Sequence, residues 1–169
     1  MTYEAQNHAF IHHPQLIELN HEVSLISKEL CLLWVLDVLE TMILPCLVRQ
    51  HFPLETSLVT INGVRRWMKK EVKLTQVKPL ILKLHEQARH NNEQLIIMGC
   101  LRAVAHGCST IHSQRHAMGI AYYGVLALAR EQWCNDSNQS LDIEILKLIQ
   151  IMKKKLIIIK EEWVLTQSH

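Results

Sequence analysis

Residues 102–123 read RAVAHGCSTIHSQRHAMGIAYY and bring two arginines, three histidines and two tyrosines into a segment rich in small residues. On an α-helix, which turns about 100° per residue, His106 and His112 lie on different faces. They can meet only if the chain breaks between them. Gly107 favours the end of a helix, and the Ser-Thr pair that follows favours the start of the next one. The segment therefore predicts a break at this point between two helices of an αα-hairpin, with polar groups gathered near the turn.

The polar side chains of this hairpin form the candidate site. The predicted cluster consists of Arg102, His106, Thr110, His112, His116 and Tyr122. We expect the histidines to hydrogen-bond within the hairpin and hold it in register, with Thr110 or Tyr122 among their partners. An unsatisfied buried polar group costs roughly 1–3 kcal/mol, so each inward imidazole needs a partner. No residue is assigned a catalytic role.

Two alternatives remain open for the same side chains. Zinc accepts three histidines and a water, and histidines at positions i and i+4 can chelate one ion, so His106, His112 and His116 are the metal candidates. The segment 102–123 contains no Asp or Glu to act as a general base or to orient an imidazole. We therefore expect no metal and no other cofactor. The second alternative is an anion pocket around Arg102.

The composition predicts an all-α fold. The hydrophobic share is 49%, with only 5 Gly and 4 Pro in 169 residues, which excludes a disordered chain and a turn-rich β architecture. We expect a single helical domain over residues 1–169, built as a bundle of six or seven helices around a central αα-hairpin at residues 93–132.

Apolar residues at helical spacing predict the individual helices. The predicted helices cover residues 16–50 as a short helix followed by a long one, and then residues 54–71, 80–89, 93–106, 111–132 and 141–163. Pro45 is expected to kink or end the long helix. Residues 72–79 are predicted to be a polar connection closed by Pro79, and residues 134–140 a loop.

The charge balance does not favour nucleic-acid binding. Lys and Arg total 18 against 16 acids, a formal charge of +2. The two clusters of basic residues, at 65–73 and 153–155, lie beside apolar residues at helical spacing, which is typical of a solvated helix face.

One stretch, residues 30–48, approaches membrane length. Asp37, Glu40 and Pro45 interrupt it, and each acid would cost about 3 kcal/mol at the centre of a bilayer. We therefore expect a buried core helix and no membrane association. The N-terminus lacks the pattern of a signal peptide, and five cysteines without a CxxC pair are typical of reduced thiols. These features predict a cytoplasmic protein.

Residues spread over positions 30–131 resemble a known family. They are Trp34, Leu39, Glu40, Leu44, Pro45, Pro53, Arg66, Trp67, Arg102, His106, Thr110, His112, His116, Ala117, Gly119 and Tyr122. In this order they are similar to the helical immunity-protein family of bacterial polymorphic-toxin and contact-inhibition systems. The most specific part is the motif Thr110-x-His112-x3-His116-Ala117-x-Gly119.

The resemblance implies a cytosolic helical protein that neutralises a cognate toxin by binding it. Immunity proteins against nucleases are often acidic, whereas this chain is slightly basic, so the resemblance leaves the chemistry of the toxin open. The alternative reading is a helical metal- or small-ligand-binding protein, or an enzyme, that uses the cluster of Arg102, His106, His112 and His116.

Overall fold

Helices account for nearly all of the folded chain. The computed structural model describes residues 10–135 and 140–167, and no strand occurs in these two ranges. Its helices are α1 (Pro14–Ser24), α2 (Lys28–Arg49), α3 (Glu55–Met68), α4 (Leu74–His90), α5 (Leu95–Ser109), α6 (Gly119–Asn135) and α7 (Leu141–Gln167), with a 3-10 turn (Gln114–Met118) between α5 and α6. The predicted all-α bundle of six or seven helices is confirmed.

Helix α2 passes Pro45 without ending. A proline inside a helix lacks the N–H group and clashes with the carbonyl four residues earlier. Here the backbone widens into a π turn at Leu39–Ile43, and the N–H of Leu44 donates to the carbonyl oxygen of Leu39, five residues back. A π turn is a common way to absorb such a conflict. The helix therefore continues to Arg49.

Helix α2 lies at the centre of the core. The side chain of Trp34 is 0% exposed, and its Nε1 donates to the main-chain oxygen of Met152 on α7 at 3.0 Å. The two acids that interrupt the apolar run pair with other helices. Lys155 Nζ lies 2.8 Å from Asp37 Oδ2, and Arg65 pairs with Glu40.

The same helix has the length and composition of a membrane span. Within the described ranges, Lys28–Arg49 is the one helix long and apolar enough to cross a bilayer, and 61% of its most apolar window is buried inside the fold. Its apolar side chains thus contact the other helices, as a core helix requires.

Helix α4 begins earlier than predicted. The predicted connection over residues 72–79 is wrong, because α4 starts at Leu74 and contains Pro79. Gln76 Oε1 accepts a hydrogen bond from the backbone N–H of Lys73 at 2.9 Å and caps this end. Pro79 and Thr75 are both exposed, so water can reach the carbonyl that the proline leaves without a helical partner.

The hairpin breaks later than predicted. Helix α5 continues through Gly107 to Ser109, so Gly107 does not end it. A Cβ at Gly107 would lie 2.9 Å from Ile120 Cγ2 and 3.0 Å from Val35 Cγ1, which shows that this glycine allows close helix packing. The chain turns over residues 110–113 and enters the 3-10 turn before α6. At its other end α6 includes Cys134, so the predicted loop starts too early, and residues 136–139 of it lie outside the described ranges.

Candidate functional site

Four elements meet at a cluster of aromatic and basic side chains. Helix α5 packs against α4 on one side and α6 on the other, and the 3-10 turn lies beside α5. His106 of α5 is at the centre, with its Nδ1 3.4 Å from Nδ1 of His116. The ring of His112 lies edge-on to that of His116, with centroids 4.9 Å apart. Three histidines that are separated along the sequence thus form one chain of contacts.

A glycine makes this approach possible. A Cβ built on Gly119 would lie 2.2 Å from Cβ and 2.7 Å from Cγ of His106, far inside van der Waals contact. The first turn of α6 therefore rests directly on the imidazole of α5. Only a residue without a side chain allows the backbone to come this close.

The 3-10 turn is also held by the last turn of α1 and the connection from α1 to α2. Gln114 Nε2 donates to the carbonyl oxygens of Val23 at 2.8 Å and Ile26 at 3.0 Å. The backbone N–H of His116 donates to the carbonyl of Ser113 at 3.1 Å. These bonds fix the turn that presents His112 and His116.

Two cluster members were not among the residues predicted for the site. The ring of His85 on α4 meets that of His106 edge-on, at 5.1 Å between centroids. Tyr123 stacks on His106 at 5.0 Å, and the guanidinium carbon of Arg102 lies 5.5 Å from the centre of the Tyr123 ring. Helical spacing places Tyr123 one turn after Gly119, which is a signal for its position. For His85 the sequence indicates only a position on the polar face of an amphipathic helix, which is a weaker signal.

The predicted hydrogen-bonding roles of Thr110 and Tyr122 differ from the structure. The hydroxyl of Thr110 is buried, and none of the described residues partners it. Tyr122 packs against the hydrophobic core, and in the described ranges no hydrogen bond joins it to a histidine of the cluster. In the structure Tyr123, and not Tyr122, lies against the His106 ring.

The histidines lie in a cationic environment. Burial, followed by the charges of His85, His116 and Arg102, lowers the pKa of His106 to about 4. The pKa of His85 is lowered by burial and then by Arg89, Arg102 and His116.

The pKa of His112 is likewise lowered, by burial first and then by His116, Lys78 and Lys28. No carboxylate is among these causes, and the lowered pKa values keep His85, His106 and His112 neutral in the folded state at neutral pH. We name this surface the cationic histidine face. It comprises Lys28, Lys78, His85, Arg89, Arg102, His106, His112 and His116.

A hydrogen bond between His106 and His116 needs one ring to donate from Nδ1 and the other to accept at Nδ1. Across the described ranges, no group of three or more His, Cys, Asp or Glu side chains is placed to hold a metal ion. We accordingly treat these nitrogens as hydrogen-bonding partners of each other.

We expect stability to fall as the pH drops from about 6.5 to 4, because the unfolded chain protonates His106 before the folded chain does. The His106→Phe variant keeps a ring of similar size against Gly119 but does not titrate. As the pH is lowered, the free energy of unfolding of this variant should therefore fall less steeply than that of the wild type. The two slopes should differ by up to about 1.4 kcal/mol per pH unit. Urea unfolding between pH 7 and pH 4 measures these slopes.

The control is the variant His90→Gln, which changes an exposed histidine and should retain the wild-type slope. Equal slopes in all three proteins would contradict the lowered pKa of His106.

The fold and the site define an all-α protein whose polar cluster lies at the surface, where another molecule can contact it. The profile of the Imm-5 like putative immunity protein family matches residues 21–155, which is most of the chain, and the protein therefore belongs to this family. The match extends on both sides of the region, residues 30–131, that carries the sequence resemblance. No curated protein and no solved structure matches the chain.

Proposed function

We propose that this protein is an immunity protein that binds a cognate bacterial toxin in the cytoplasm and neutralises it. The observation that carries the proposal is the family match over residues 21–155. This range contains α2 to α6 in full and α7 as far as Lys155, and with them the cationic histidine face.

Neutralisation by binding requires a stable surface and no catalytic group. The helices that carry the histidines pack on a shared core, and Gly119 and Gln114 fix the positions of the contacting elements. A surface that is ordered before binding loses little conformational entropy on association, which favours tight complexes.

The thiols support the proposed compartment. All five cysteines are free, and four of them are buried. Burial raises the pKa of Cys31 and of Cys108 to about 12, so these thiols stay protonated and unreactive. Free thiols are typical of the reducing cytosol, where a toxin that enters or is made in the cell must be neutralised.

The proposal is tested by co-expression in a bacterial host with a candidate toxin domain taken from a gene adjacent to that of this protein. We expect cells that make the toxin domain alone to stop growing, and cells that make both proteins to grow. A toxin domain from an unrelated system is the control and should remain lethal. Persistent killing in cells where both proteins are soluble would contradict the proposed function.

A further inference from the structure

We infer that the cationic histidine face, together with an adjoining groove at Trp67, is the surface that receives the toxin, and that the matching surface of the toxin is acidic. The inference rests on the proposed function, because it assigns a place and a chemistry to that binding.

The first observation is a cluster of positive charges without ion pairs. Away from this face, several cations have acidic partners on a neighbouring helix. Arg49 Nη2 lies 2.6 Å from Glu131 Oε2, and Lys153 Nζ lies 2.7 Å from Glu18 Oε2. On the cationic histidine face, by contrast, Lys78, Arg89 and Arg102 make no ion pair with any described residue.

Two of these cations share one face of α4 with a histidine of the cluster. Lys78, His85 and Arg89 are at positions i, i+7 and i+11 of α4, which places them on one face of that helix. Glu86, the neighbour of His85 in sequence, is turned about 100° away. The face therefore combines fixed positive charge with imidazoles that can donate or accept hydrogen bonds. Such a surface attracts carboxylates and selects against basic partners.

The second observation is a groove of about 580 Å³ that continues the face. Its lining combines two lysines, Lys28 and Lys70, and one carboxylate, Glu29, with the apolar Leu32, Trp67 and Met68. Nζ of Lys28 lies 5.6 Å from the centre of the Trp67 ring, and the charge of Lys28 also acts on His112. Lys28 thus belongs to both surfaces.

The groove adds an apolar contact area to the charged face. Protein interfaces combine an apolar, water-excluding centre with a polar rim, and tryptophan is enriched among the residues that dominate binding energy. The Trp67 groove can take an apolar side chain of the toxin while neighbouring carboxylates of the toxin meet Lys78, Arg89 and Arg102. This arrangement fits an acidic protein surface with an apolar anchor.

The test is isothermal titration calorimetry with the purified candidate toxin domain, the one that is lethal on its own in the co-expression experiment. The double variant Lys78→Glu, Arg89→Glu changes two exposed side chains and should keep the wild-type circular dichroism. We expect it to bind roughly 100-fold more weakly than wild type, since like charges then face each other across the interface. Trp67→Ala should weaken binding by at least about 10-fold.

The matched control is the double variant Lys83→Glu, Lys154→Glu, which changes the net charge equally at exposed lysines outside the face. It should bind within about 3-fold of wild type at about 150 mM salt, where the charges of distant lysines are screened. If both double variants bind like wild type, the toxin docks elsewhere and the inference is wrong, although the immunity function stands. If the wild type itself does not bind the toxin domain, the proposed function fails.

A duplex DNA of about 20 base pairs is the second probe, because a cationic face also attracts phosphates. We expect no binding to the duplex at about 150 mM salt. Binding of the duplex as tight as binding of the toxin domain, lost in the Lys78→Glu, Arg89→Glu variant, would overturn the assignment of a protein partner.

Discussion

The Gly119→Ala variant is expected to lose about 3 kcal/mol of its free energy of unfolding, although it adds a single methyl group. That methyl would lie 2.2 Å from Cβ of His106 and 2.7 Å from its Cγ. Both atoms are close to the backbone of α5, so a change of rotamer moves the ring but not Cβ. Helices α5 and α6 must therefore separate, which disrupts the packing of the core and the contacts of the cluster.

Gly63→Ala is the matched control, because Gly63 also lies within a helix. Its added Cβ would meet Val77 Cγ1 at 3.4 Å, an ordinary contact. Alanine is favoured over glycine inside a helix by about 0.5–1 kcal/mol, so this variant should be as stable as wild type or more stable. Urea unfolding followed by circular dichroism compares the two. Equal stabilities of the two alanine variants would show that α6 does not rest on His106 as described.

The Trp34→Ala variant is expected to lose about 3–5 kcal/mol, the usual cost of removing a large buried aromatic side chain. Trp34 is 0% exposed and lies among the core residues of α2. Its loss leaves a cavity, and the carbonyl of Met152 loses the donor that reaches it at 3.0 Å. The contact between α2 and α7 should weaken most.

Trp133→Ala provides the comparison, since Trp133 is 47% exposed. A surface substitution of this kind usually changes stability by less than about 1 kcal/mol. Thermal unfolding of the two variants should therefore give clearly separated midpoints. Similar midpoints would place Trp34 outside the core and contradict the central position of α2.

The helices were predictable because their signals are local. Apolar spacing identifies the α2 and α7 segments from the sequence alone, since each amphipathic pattern depends on residues a few positions apart. The predicted helix ends were less accurate where contacts with other helices decide where a helix begins or ends. Gly107 carries the sequence signal of a helix end, yet it lies inside α5 because Ile120 and Val35 approach its Cα. Pro79 was misjudged for a related reason, since only the fold shows that this part of α4 faces water.

The candidate site was predictable in part. His106, His112 and His116 stand out in the sequence, and the structure places their rings in contact. The contribution of His85 depends on how α4 crosses α5, which no local pattern records. That Lys78, Arg89 and Arg102 make no ion pair within the described residues was equally invisible, because it depends on where carboxylates from other helices end. The role of these residues in binding a toxin is our proposal.

The central claim is that this protein inactivates a toxin by forming a complex with it. It is tested most directly by titrating the purified toxin domain with the purified protein while the toxin's own activity is measured. The account predicts that activity falls in proportion to the added protein and vanishes near a fixed molar ratio, and that the Lys78→Glu, Arg89→Glu variant requires a large excess. Full toxin activity in the presence of excess folded wild-type protein would contradict it.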